Sequence, residues 1–364
     1  MKFSRKIEFV SLSIALLFTF LVEVSGSWPG TDQPPPIRDD FNALVDFTKI
    51  PPAPVRSNET LCPETDTYCN FACTGCVNGD ITVCPNPRDW GLTFDDGPTT
   101  FTIDLLNYLK PRGLKITFFV VGSRVAESPE ILKMAYDLGH EIGVHTWSHP
   151  YLTTQSNEQI IAELQWTAEI IKATIGVIPA YMRPPFGDVD DRVRNIASQL
   201  GYKVVIWDRD TKDWTFTKDL SFDFNWIKGN FTEWVQEKPT TGHISLQHDL
   251  YNQTASQGPK VVPIVLGANY TIKSVASCIG DNDPYQRKKV LNNPPKNNFT
   301  SVSQDQPTLT TVIQESTMMT TNLPVSTQTF YVTNVANNQR NFLNYLVMTV
   351  NIYVFVHSVI INSM

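Results

Sequence analysis

Basic charge is in short supply. Across 364 residues, 29 Lys and Arg face 36 Asp and Glu, a net charge of −7. A nucleic-acid partner is bound through a basic stripe, so that class of function is excluded. Cysteine is sparse and unevenly placed: Cys62, Cys69, Cys73, Cys76 and Cys84 crowd together, and Cys278 stands alone far downstream. No histidine accompanies the cluster, which argues against reading Cys73-x-x-Cys76 as a zinc knuckle. An even count in a secreted chain reads as disulfides. If all six pair within the chain, five clustered thiols must send one partner outside, and Cys278 is the candidate.

Long apolar runs are missing except at the two ends. Residues 1–26 join Lys2, Arg5 and Lys6 to an apolar stretch and then Ser25 and Gly26, the pattern of a secretory signal and short for a membrane span. Residues 342–364 are apolar and hold no Asp, Glu, Lys or Arg. With a signal in front and a polar spacer before it, this tail reads as a glycosylphosphatidylinositol (GPI) attachment signal, with a true membrane span as the alternative. Residues 281–341 lack an apolar period and are rich in Ser, Thr, Asn and Pro, so they read as a disordered stalk. Secretion agrees with five Asn-x-Ser/Thr sites, at Asn58, Asn230, Asn252, Asn269 and Asn298.

What remains, after a cysteine-rich extension over 27–87, is a domain over 88–280. It alternates β-rich runs ("WGLTF", "KITFFVVG", "EIGVH", "AYMR", "YKVVIW", "HISLQ") with amphipathic stretches. Helices are expected near 103–109, 129–138, 157–176, 190–200 and 224–237, the third with Ile160, Leu164, Ile171 and Ile175 on one face. Such alternation predicts parallel strands with crossover helices, as a (β/α) barrel or an open doubly wound sheet, and places function at the carboxyl ends of the strands.

Those ends carry chemistry. Asp95 and Asp96 follow the first strand, His145 and His149 the third, Arg183 the fourth, Asp210 and Asp213 the fifth, and His248 with Asp249 the last. Adjacent residues on an extended segment face opposite ways, so the two aspartates are open to different work. His145 and His149 have a spacing that can converge on one metal, although Pro150 biases His149 toward a loop. Two imidazoles and one carboxylate make a three-ligand site that leaves a position for water.

"TFDDGP", "HTWSHP", "RPPFG", "DTKDW" and "LQHD" occur in the order and spacing of the five motifs of the polysaccharide deacetylase family, also called NodB homology or carbohydrate esterase family 4. The resemblance covers roughly residues 88–270, and within the family the signal, cysteine cluster, stalk and tail look most like the fungal cell-wall chitin deacetylases. It implies a distorted or incomplete (β/α) barrel of the NodB type. It further implies a divalent metal, zinc or alternatively cobalt, on Asp96, His145 and His149. Asp95 would be the general base with Arg183 against it, and His248 the general acid oriented by Asp213. Phe186 would contribute a backbone N–H to the oxyanion, and Trp214 and Leu246 would line the acetyl pocket. The family often has tyrosine where this chain has Phe186.

The implied activity is hydrolysis of N-acetyl groups of chitin by a monomer at the cell wall and outer membrane face. Deacetylation of xylan or peptidoglycan, or a non-catalytic wall-anchored carbohydrate-binding glycoprotein, are the competing readings. Trp147, Tyr151, Tyr181 and Trp207 are open to sugar stacking or to core packing. His140 and His243 fit no motif.

Overall fold

The computed structural model describes residues 28–286 apart from 60, 61, 220 and 239. The expected signal, most of the stalk, Asn298 and the tail lie outside the described residues.

Strand β1 (Asp89–Asp95) is buried along its whole length, as a central parallel strand covered on both faces must be. Around it stand β2 (Thr117–Val120), β3 (Glu141–Val144), β4 (Tyr181–Met182), β5 (Lys203–Val204), β6 (Arg209–Asp210), β7 (His243–Leu246) and β8 (Thr271–Lys273). The sheet order is β5-β4-β3-β2-β1-β7-β6, and every pairing is parallel. β8 pairs with the lower part of β1 at Asp89↔Thr271, on the edge that β2 takes higher up at Thr93↔Thr117.

Parallel neighbours need crossovers. Helices α1 (Thr100–Leu109), α2 (Gly122–Glu127), α3 (Pro129–Asp137), α4 (Asn157–Ile175), α5 (Asp191–Gln199), α6 (Asn225–Trp234) and α7 (Gly258–Gly267) lie in these connections, and α8 (Val275–Ile279) follows the last strand. α1 starts on a reciprocal capping box at Thr99 and Thr102. α4 is capped by Ser156 and stops at Gly176, whose φ of +82° suits a residue without a Cβ. Ile160, Ile161, Leu164 and Ile171 of α4 are fully buried, each contributing about 1.5–3 kcal/mol.

The period of two along β1 divides the interior. Trp90, Leu92 and Phe94 join Leu105, Leu106 and Val261 in the core between sheet and helices. The opposite row faces the concave side, where Gly91 lies against Ile244 and Cys84 and where Phe119, Tyr181, Val205 and Cys278 pack together. The sheet is curled: the Arg183 side chain, following β4, reaches Asp95 on β1 at 2.8 Å. In a flat sheet those strands stand about 14 Å apart, beyond the reach of one arginine.

Cys84 and Cys278 are disulfide-bonded inside the concave cluster, across 194 residues. Cys62–Cys73 and Cys69–Cys76 pair locally. The single long bridge is the one that parity demanded.

The cysteine-rich extension packs against the domain that follows it. Ile81 bridges to Val205, Phe41 and Val45 are in the main core, and Arg194 binds the carbonyls of Cys69 and Cys76. Residues 281–286 also pack: Ala180 N–H donates to Pro284 O, and Tyr285 bridges to Pro179. "YKVVIW" has only two residues in β5. β6 and β8, both of three residues or fewer, are too short for an alternation to announce them.

Candidate active site

The inward rows of the strands continue past their carboxyl ends, and this continuation makes the site. Asp95 ends the inward row of β1. Its N–H donates to Gln247 O, and its carbonyl accepts from Asp249 N–H, so the backbone pairs it with His248. Asp96 leaves the strand with φ +79°, and both carboxylates lie near His145 Nε2, Asp95 Oδ2 at 3.8 Å and Asp96 Oδ1 at 3.4 Å.

Arg183 is fully buried and fully engaged: Nη1 donates to Asp95 Oδ1 and Thr93 Oγ1, Nη2 to Ile206 O and Nε to Val205 O. The Asp95–Arg183 pair is buried on both sides, and the four hydrogen bonds of the guanidinium offset its desolvation.

His145 follows β3 on its inward row. Its Nδ1 lies 2.7 Å from Arg183 O; a carbonyl only accepts, so Nδ1 carries the proton and Nε2 presents its lone pair. His149 sits in a loop, as Pro150 suggested, with φ +59°. Asp96 Oδ1 lies 3.4 Å from His145 Nε2 and 3.1 Å from His149 Nε2. Burial lowers the His149 pKa, against the pull of the Asp96 carboxylate. Burial would raise the pKa of Asp96, but positive charge on His149 opposes this and leaves the carboxyl well below its usual range.

These three residues fit a metal. Asp96 Oδ1 is buried with no hydrogen-bond partner, and ligand atoms of Asp96, His145 and His149 all lie within 4.8 Å of one another. Two imidazoles and a carboxylate suit a first-row divalent ion.

His248 completes the arrangement. Its Nδ1 donates to Asp213 Oδ1 at 2.6 Å and its backbone N–H to Asp213 Oδ2 at 3.0 Å. Burial would lower its pKa, yet Asp213, with Asp96 and Asp95 nearby, pushes it up to about 10. Asp213 is itself buried.

The remaining expected residues stand around this centre. The Phe186 ring, 46% exposed, stacks on Tyr151 at 3.8 Å and meets His149 edge-on at 4.6 Å. Trp214 directly follows Asp213 and is exposed, and Leu246 is buried two residues before His248. Of the four aromatics open to sugar stacking, Trp147 and Tyr181 are core residues and Trp207 packs on Phe71. Tyr151 alone lies at the rim.

Asp210 turns aside to cap Lys212 N–H. His140 is a core residue whose pKa burial lowers to about 4, and His243 pairs with Asp208. Asn58, Asn252 and Asn269 are exposed, and Asn230 is half-buried on α6.

Two supporting residues, Glu163 and Arg124, escaped the sequence reading because nothing local marks them. Glu163 on α4 accepts from Trp147 and Ser148. Arg124 on α2 donates to Asp96 O at 2.9 Å. Asp249 lies against Gly97, where a Cβ would stand 2.6 Å from its Oδ2.

Comparison with known proteins agrees with this geometry. Residues 82–205 match the family described as polysaccharide deacetylase. The chain is 40% identical over 276 residues to chitin deacetylase 1 of Cryptococcus neoformans var. grubii, covering 70% of this chain and 58% of that protein. It is 36% identical to chitin deacetylase 1 of Saccharomyces cerevisiae, covering 71% and 82%. The chain thus spans less than two thirds of the Cryptococcus relative and most of the Saccharomyces one. Among solved structures, the chitin deacetylase of Colletotrichum lindemuthianum superposes with a TM-score of 0.53 at 29% identity, over 57% of this chain and 95% of that one.

Proposed function

The chain belongs to the polysaccharide deacetylase family, and we propose that it hydrolyses the N-acetyl groups of chitin, giving chitosan and acetate. The observation that carries this is the convergence, at one end of the curled sheet, of the Asp96–His145–His149 cluster, the Asp95–Arg183 pair and the His248–Asp213 pair. The names of the fungal relatives support chitin as the substrate.

Asp96, His145 and His149 would hold the cation, zinc or alternatively cobalt. Bound there, it would supply Lewis acidity, making a water nucleophilic near neutral pH and polarising the acetyl carbonyl. Asp95, aimed by Arg183, takes the proton from the attacking water. His248, charged and oriented by Asp213, delivers a proton to the departing nitrogen, without which the amine is a hopeless leaving group. The backbone N–H of Phe186 would stabilise the oxyanion, and Trp214 and Leu246 would enclose the acetyl methyl. Because a backbone donor serves, phenylalanine in place of tyrosine costs little.

The same reading takes 1–26 as a secretory signal and 342–364 as a GPI signal, placing a monomeric enzyme at the outer membrane face and cell wall. Among the described residues no helix is long and apolar enough to cross a membrane.

Acetate release from chitin oligomers, acetyl-xylan and peptidoglycan fragments, with and without a chelator, tests the proposal. Chelator-sensitive release from chitin oligomers that zinc restores is expected. Release from xylan or peptidoglycan with none from chitin overturns the substrate, and no release from any of them returns the chain to a carbohydrate-binding role.

A further inference from the structure

Only three residues, Thr146, Trp147 and Ser148, separate the two histidines, and the loop they form is strained at both ends. Thr146 has φ +65° and His149 φ +59°, a region that disfavours side chains with a Cβ. Such a loop keeps its shape only when its surroundings over-determine it. Thr146 Oγ1 accepts from His149 N–H at 3.1 Å, within the loop itself. The remaining hold comes from outside.

Glu163, in the second turn of α4, is completely buried. Its Oε2 accepts from both Trp147 N–H and Ser148 N–H, each at 2.8 Å, and Ser148 Oγ donates to its Oε1 at 2.6 Å. One carboxylate therefore takes up two consecutive backbone donors and a hydroxyl at the crest of the loop. The Trp147 ring locks the same point: a Cβ added at Gly122 would lie 2.7 Å from Trp147 Cε3. On its other side Trp28 stacks at 6.3 Å, and Gly30 O accepts from Trp147 Nε1 at 3.1 Å.

We propose that Glu163 is a positioning residue of the metal centre: without touching the cation, its carboxylate holds loop 146–148 in the shape that turns both imidazole Nε2 atoms toward Asp96. A ready-made site binds more tightly than one that must be ordered on binding. Removing an outer partner of a metal ligand costs roughly 10- to 100-fold in affinity. The inference rests on the metal reading of Asp96, His145 and His149.

The test is titration of the metal-stripped full-length chain with zinc alone, followed by calorimetry, beside a thermal melt. In Glu163→Ala the zinc Kd should rise roughly 10- to 100-fold. In Glu163→Asp, whose shorter side chain withdraws both acceptors but keeps the charge, it should also rise, and this variant decides the matter if alanine fails to fold. Glu163→Gln should stay near wild type, because its amide oxygen still accepts both N–H groups while its NH2 donates to Ser148 Oγ. Glu169→Ala, which removes an exposed partner of Arg38 on the same helix, should leave zinc binding unchanged. Wild-type affinity in a folded Glu163→Asp chain overturns the proposal, as does equal loss in Glu163→Gln and Glu163→Asp. Failure of the wild-type chain to bind zinc overturns the metal reading instead.

Discussion

Replacing Asp213 by asparagine preserves its shape and removes its charge, and the structure sets what should follow. Both carboxylate oxygens are acceptors, one for His248 Nδ1–H at 2.6 Å and one for His248 N–H at 3.0 Å. Asparagine offers one acceptor and one donor, so one of the two N–H groups must face another N–H in a buried place. That mismatch should cost about 1–3 kcal/mol of stability. The lost charge acts on the proton. His248 is raised from an ordinary 6.5 to about 10 against burial, with Asp213 the foremost opposing cause. A hydrogen bond to a charged group is worth about 1.5–3 kcal/mol, roughly 1–2 pK units. In its proposed role of proton donor, His248 works below its folded pKa, and activity is lost as pH rises through it. The alkaline limb of acetate release from chitin oligomers should therefore move down by roughly 1–2 pH units in Asp213→Asn, alongside a lower Tm. An unmoved limb in a folded variant would refute the coupling of the two residues.

Asp96→Asn should lose zinc and activity together, whereas Asp95→Asn should keep zinc yet lose roughly 10²- to 10⁴-fold in turnover; elemental analysis beside acetate release checks this, and the opposite pattern reverses the two roles. Arg183→Lys should lower turnover with little change in zinc content, because one ammonium cannot make the four side-chain bonds of the guanidinium; steady-state kinetics decide it. Removing Cys84–Cys278, which closes 194 residues, should cost about 5 kcal/mol in the chain-entropy model, against about 3 for Cys62–Cys73; denaturant melts of the two double-serine variants should rank in that order.

Much of this protein was legible in one dimension. Asp95 and Asp96, His145 and His149, Arg183, Asp213 and His248 all follow parallel strands or the loops after them. A parallel sheet brings every strand's carboxyl end to the same side, so order along the chain already implied convergence in space. The pairing of Cys278 with the cluster followed from parity, and the loop conformation of His149 from the proline after it.

Other features arise between segments distant in sequence and leave no local signature. The partner of Cys278 proved to be Cys84, because that residue alone of the five is buried in the concave cluster. How the extension before residue 88 packs was decided in three dimensions, Ile81 bridging to Val205 far along the chain. Which aromatics meet solvent was decided by packing, with Trp147 and Tyr181 inside and Tyr151 at the rim. Nothing in the sequence singles out Glu163; only the fold of α4 against the histidine loop makes it an acceptor for two backbone N–H groups. Residue type and spacing determined which groups are available for chemistry. The curl of the sheet, which carries Arg183 from β4 to Asp95, decided which of them touch.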